Sequence, residues 1–185
     1  MGDPFDEHLA LVEQVRELRP EIDAVAQRLI EVYEGDGRLF TFGNGGSSCD
    51  AQHFAEELVA RYRRERRALA ATSLSSDPAV LTCIGNDFSF EEVFSRQVEG
   101  LVRSGDMVAG FTTSGRSENV VRGLAAARER GAATVLFGGG DGMPAREHAD
   151  HALVLDSTET ARIQEMHVLL LHLILDQVDE WAASS

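Results

Sequence analysis

Apolar residues at Leu11, Val12, Val15, Leu18, Ile22, Val25, Leu29, Ile30 and Tyr33 recur with a helical period, so the first 34 residues predict helix. Pro20 interrupts the pattern and predicts two consecutive helices or one bent helix. After Gly35-Asp36-Gly37 the pattern changes to short apolar runs. Leu39-Phe40-Thr41-Phe42 reads as a buried strand, and further strands are predicted over residues 68–74, 106–111, 133–137 and 151–155. Between them, helices are predicted after the glycines at 43–46, from Ser76-Asp77-Pro78, over residues 90–102 and over 117–131, with a flexible turn at 138–142. Strands alternating with helices imply a parallel sheet of about five strands covered on both faces, a three-layer, doubly wound α/β fold. The final helix, residues 158–181, is apolar nearly all round, which predicts burial against a sheet face and against other subunits. With no repeat or linker, residues 1–185 read as one domain: a helical segment (1–34), then the α/β core and final helix (35–185). Oligomerisation is expected through the first and last helices.

The turn after the first strand carries the densest chemistry. Gly43, Gly45 and Gly46 permit a sharp turn and let backbone approach a ligand. Ser47, Ser48 and Asp50 suit a helix N-terminus, where orphan N–H groups and the helix dipole favour an anion. On the helix that follows, His53 and Glu57 are i and i+4 and share a face, while Glu56 diverges from it. A phosphate cradle beside a His/Glu pair suggests chemistry on a phosphorylated substrate.

A second loop, Thr112-Thr113-Ser114-Gly115-Arg116-Ser117-Glu118-Asn119, follows the strand over residues 106–111. Alone it reads as an ST-turn and N-cap, since Ser and Thr are favoured there for local reasons. Two such loops at the carboxyl ends of parallel strands read instead as the two sides of one ligand crevice.

Composition narrows the partners. The net charge of −14 argues against general nucleic-acid binding. No apolar run reaches membrane-spanning length and no basic-plus-apolar leader opens residues 1–12, so a soluble cytoplasmic protein is expected. Cys49 and Cys83 read as two reduced thiols near packed backbone. Five arginines fall within residues 61–67 and read as a solvated helix end rather than a docking patch.

The loop over residues 112–117 resembles the sugar-phosphate loop of the sugar isomerase (SIS) domain superfamily. Within it, residues 43–47, Gln52-His53-Phe54-Ala55-Glu56-Glu57-Leu58, Cys83-Ile84-Gly85-Asn86-Asp87-Phe88 and Arg162-Ile163-Gln164-Glu165-Met166-His167 resemble the phosphoheptose isomerase family, over roughly residues 35–172. The resemblance implies a flavodoxin-like sheet, a homotetramer with sites built between subunits, and interconversion of sedoheptulose 7-phosphate with D-glycero-D-manno-heptose 7-phosphate. It implies one zinc ion per subunit held by His53, Glu57, Gln164 and His172. Substrate contacts would come from Asn44, Gly45, Gly46, Ser47, Glu57, Asn86, Asp87, Thr112, Thr113, Ser114, Ser117 and Gln164. Thr112 stands where serine is usual, Arg116 where a small or amide residue is common, and Ala161 where some members have aspartate.

Aldose–ketose isomerisation through an enediol needs a base at the carbon beside the carbonyl and an acid at the oxygens; Glu57 and His172 are expected in those roles. Gln164 and His172 are eight residues apart, about 12 Å by helical rise, so one metal could hold both only if they lean together. His167 reads as structural or surface. Two rivals keep the fold. One is a non-catalytic SIS tetramer that binds a protein such as a replication initiator; its known relatives generally lack the residues matching Glu57 and His172. The other is an SIS isomerase or sensor for a different sugar phosphate.

Overall fold

The computed structural model describes residues 2–184. Two helices, α1 (Pro4–Glu17) and α2 (Arg19–Glu34), open the chain. They meet at Leu18, and Pro20 lies in the first turn of α2, where its missing N–H costs nothing. Then follow β1 (Leu39–Gly43), α3 (Gly46–Val59), β2 (Ala71–Ser73), α4 (Pro78–Asp87), α5 (Ser95–Leu101), β3 (Met107–Thr112), α6 (Glu118–Glu129), β4 (Ala133–Gly139), β5 (His151–Leu155) and α7 (Thr160–Ser184). Every strand pairing is parallel, in the order β2-β1-β3-β4-β5, with Leu39 beside Met107 and Met107 beside Ala133.

Side chains alternate across the pleat and feed two cores. Leu39, Met107, Ala109, Phe111, Val135, Phe137 and Leu153 face α1, α2, α3 and α7. Phe40, Phe42, Val108 and Leu136 face the side of α4, α5 and α6.

The differences from the periodicity reading have local causes. The second strand shortens to three residues because Leu69 N–H bonds the Leu58 carbonyl of α3, so the chain before Ala70 closes a helix end. The helix expected over residues 90–102 divides into a 3₁₀ turn, Phe90–Glu92, and α5. The last helix buries Ile163, Met166, Leu170, Leu171, Ile174, Leu175 and Val178 against its own chain, largely α1, α2 and α3. The apolar residues left open at the N-terminal side are on α1: Phe5 is 79% exposed and Leu9 61%.

Both cysteines are exposed, not set against packed backbone. The arginine run is not a helix end, because α3 stops at Val59 and residues 61–67 lie in the loop beyond it. Among the described residues no helix is long and apolar enough to cross a membrane.

Candidate active site

The chain leaves β1 through Asn44 and Gly45 and enters α3 at Gly46. Gly45 sits at φ 55, a conformation glycine adopts at no steric cost. Gly46 is close-packed against α7. A β-carbon there would collide with the side-chain amide of Gln164, which packs over the start of α3. Ser47 is buried and its N–H bonds the Asn44 carbonyl. Ser75 Oγ spans the turn, donating to the Gly43 carbonyl (3.0 Å) while accepting from Gly43 N–H (3.1 Å).

The second loop leaves β3 at Thr112, whose buried hydroxyl lies 3.2 Å from Ser117 Oγ and 3.5 Å from Ser114 Oγ. A threonine in place of serine therefore keeps the working group. Ser117 is the N-cap residue of α6, yet its side chain makes no capping bond. Asp3 and Asp77 cap α1 and α4 with their carboxylates, whereas α3 and α6, like α2 and α5, have no side-chain cap. The starts of α3 and α6 retain backbone donors for an anion, at the carboxyl edge of the sheet. The loops are tied together by a reciprocal amide pair: Asn44 Nδ2 donates to Asn119 Oδ1 (2.8 Å) and Asn119 Nδ2 to Asn44 Oδ1 (2.9 Å). Thr113 and Ser114 also line a cleft of about 320 Å³ with Arg116, Asp141, Ser157 and Thr158.

Farther along α3, His53 Nε2 lies 3.3 Å from Glu57 Oε1, and His172 of α7 meets the His53 ring edge-on at 5.1 Å. One donor atom from each of His53, Glu57 and His172 falls within 4.8 Å of the others. Two imidazoles and one carboxylate are a donor set suited to zinc with a position left for water or substrate. Burial, and next the neighbouring His53, hold the His172 pKa below the ordinary imidazole value of 6.5, so it is neutral at pH 7. Tyr62 stacks on the His172 ring at 5.4 Å and 25°. Burial, then Asp176, raise its phenol pKa, so it stays protonated.

Helices α3 and α7 run side by side, meeting at Gly46 with Gln164, Asp50 with His167, and His53 with His172. Gln164 thus stands at the cradle end of α7, about 12 Å of helical rise from His172. Asn86 and Asp87 are exposed at the end of α4 and bonded to each other (2.7 Å); no hydrogen bond among the described residues joins them to either loop. Ala161 is exposed at the start of α7. His167 is fully buried, edge-to-face with both Phe111 and Phe137, whose rings stack on each other. Sequence reasoning missed Tyr62, Ser75 and the role of Asn119. Asn119 could have been found, as an amide in the first turn of the helix after the second loop. Tyr62 and Ser75 carry no local signal.

The sheet order, the paired loops and the helix N-termini define a class. A family model described as the SIS domain matches residues 5–139. A phosphoheptose isomerase of Paramagnetospirillum magneticum is 48% identical over 166 residues, 90% of this chain and 86% of its own. The solved phosphoheptose isomerase of Neisseria gonorrhoeae superposes with a TM-score of 0.89 at 37% identity, covering 95% of both chains. That of Francisella tularensis gives 0.91 at 31%, covering 95% of this chain and 94% of its own. The chain belongs to the phosphoheptose isomerase family and is an isomerase.

Proposed function

We propose that the protein converts sedoheptulose 7-phosphate to D-glycero-D-manno-heptose 7-phosphate through a cis-enediol. Glu57 takes the proton from C1 of the ketose while the carbonyl oxygen at C2 gains one, forming the enediol. Return of the proton to C2, with loss of the O1 proton, gives the aldose. His172 serves the two oxygens. Held neutral, it donates as an imidazole, a form adequate to polarise a carbonyl. The observation that carries the reading is the meeting of Glu57, His53 and His172 from two helices, 115 residues apart between Glu57 and His172. A non-catalytic relative has no use for that convergence.

His53, Glu57 and His172 would hold a zinc ion, with Gln164 able to join only by a shift along α7; the metal would supply Lewis acidity at the sugar oxygens. The phosphate belongs at the loops. Thr112, Thr113, Ser114 and Ser117 donate hydroxyls, and α3 and α6 donate backbone N–H groups, assisted by Asn44, Gly45, Gly46 and Ser47. Asn86, Asp87 and Gln164 contact the sugar. Along α3, Gly46 and Glu57 are eleven residues apart, about 16 Å of rise. That span supports a homotetramer in which cradle and catalytic groups of different subunits meet, with exposed Phe5 and Leu9 on α1 among the contacts. A cytoplasmic location suits a phosphorylated sugar substrate.

The test is an assay of the purified protein with sedoheptulose 7-phosphate, following aldose phosphate, beside fructose 6-phosphate as a control ketose. Turnover of the heptulose alone is expected. Turnover of the hexulose only would assign another sugar phosphate, and no turnover of either would favour a binding role. Light scattering at micromolar concentration should return the tetramer mass; a monomer would remove the shared site.

A further inference from the structure

His172, Asp176 and Asp179 lie at i, i+4 and i+7 of α7, one stripe along the helix. The loop after α3 fastens to that stripe at each position. Tyr62 stacks on His172. Arg63 Nη1 donates to Asp176 Oδ1 (2.7 Å). Asp179 Oδ2 accepts from the backbone N–H of Arg64 (2.8 Å) and Arg63 (3.3 Å). Its Oδ1 accepts from Arg66 Nε (2.9 Å), an ion pair whose side chains are 0% and 1% exposed.

The rest of the Arg66 guanidinium turns to the end of α3. Nη2 donates to the carbonyl of Glu57 itself (2.7 Å), and Nη1 to those of Leu58 (2.9 Å) and Arg67 (2.8 Å). A helix leaves its last carbonyls without internal partners, and Arg66 takes up two of these. The cation also sits at the negative end of the helix dipole. Charges this deeply buried are a poor means of gaining stability, because desolvation offsets most of the attraction. Apart from the bond between the two charges, their hydrogen bonds end on the last turn of α3, at Glu57 and Leu58, or on the loop that carries Tyr62.

The geometry points to a clasp in which Arg66 and Asp179 are positioning residues for Glu57 and Tyr62 is the positioning residue for His172. It rests on the assignment of Glu57 and His172 to the site. Arg66 fixes where α3 ends and so where Glu57 stands. Asp179 folds the loop so that Tyr62 covers one face of the His172 ring. The other arginines of the segment stay exposed while touching the same helix: Arg63 pairs with Asp176, Arg64 with Asp179, and Arg67 lies over the Trp181 ring.

The test uses the full-length protein as Tyr62→Leu and Arg66→Lys. Tyr62 is half-exposed, so its variant folds even if burial of lysine at position 66 proves too costly. Three readouts are taken: kcat and KM with sedoheptulose 7-phosphate, cobalt(II) affinity by chelator competition, and the ring signals of His172 in protein labelled with ¹³C-histidine. Partners that orient ligands typically control about ten- to hundred-fold in affinity or activity. Falls of that size in kcat and in cobalt affinity are expected, with KM within about twofold because the phosphate cradle is at the other end of α3. Folded variants with wild-type kcat and wild-type cobalt affinity would overturn the clasp. A wild-type protein inert toward the sugar would overturn the proposed function instead. In that case displaced His172 signals in the variants would still support the clasp, and unmoved signals would refute it.

Discussion

The two ends of α3 solve different problems with different atoms. At its start, the loops after β1 and β3 offer backbone donors, hydroxyls and glycines, and the helices they lead into, α3 and α6, begin without side-chain caps. At its end, the proposed working groups are side chains drawn from α3 and α7, braced by the buried pair of Arg66 and Asp179. The difference teaches that binding an anion needs exposed, pre-aimed dipoles, while proton transfer needs side chains whose freedom has been removed by a supporting shell.

The catalytic end should respond in kcat. Glu57→Gln and His172→Asn keep side-chain size and should each lower kcat by roughly 10²–10⁴-fold. Because the two act as a unit, the double variant should lose little more than the worse single one. Metal content should be measured in each, since both residues are also candidate ligands. The cradle should respond in KM. Ser114→Asp places a like charge against the phosphate, and a KM rise of about tenfold or more is expected; an unchanged value would move the phosphate elsewhere.

Smaller effects sharpen the contrast. Asn44→Ala leaves Asn119, a buried amide, without its partner and should cost about 1–3 kcal/mol of stability in chemical denaturation. A double-mutant cycle with Asn119→Ala should give a coupling of about 0.5–3 kcal/mol if the pair joins the loops. Gly45→Ala meets no neighbour within 4 Å but is held at φ 55 and ψ −123, outside the wells an L residue favours, so about 1–3 kcal/mol of backbone strain is expected. The smallest effect is in pH. The folded His172 binds its proton more weakly than the unfolded chain does. In metal-free protein its contribution to stability is therefore full above the unfolded value of 6.5 and is lost as pH falls below it. His172→Asn should flatten that part of the profile of thermal stability against pH.

The same contrast decides what could be read from the sequence. The cradle is local: Gly43 to Ser47 and Thr112 to Ser117 are contiguous, and their chemistry follows from turn and cap rules applied to a few residues. The parallel sheet is legible for the same reason, because alternating apolar runs fix each strand's type and β1, β3, β4 and β5 fall where the runs lie. His53 and Glu57 also share one helix face. His172 is singled out as a candidate only through family resemblance, since nothing in an apolar helix marks which histidine meets α3. Tyr62, Arg66 and Asp179 were invisible because their meaning arises from contacts more than 100 residues apart, as in Arg66 with Asp179 (66 to 179). A run of arginines looks the same whether it faces solvent or closes over a helix end. The all-round apolar α7 is ambiguous in a related way: α1, α2 and α3 cover much of it, and its sequence alone cannot distinguish a neighbouring helix from a neighbouring subunit.

The most direct measurement is turnover of sedoheptulose 7-phosphate in D₂O by wild-type and Glu57→Gln protein, followed by NMR of the product. A half-buried base that shuttles the C1 proton to C2 should exchange it with solvent, so the wild-type should yield heptose 7-phosphate carrying deuterium at C2. Glu57→Gln should form that product at least about a hundredfold more slowly. Absence of the aldose with wild-type protein, or its formation at the same rate by Glu57→Gln, would contradict the account.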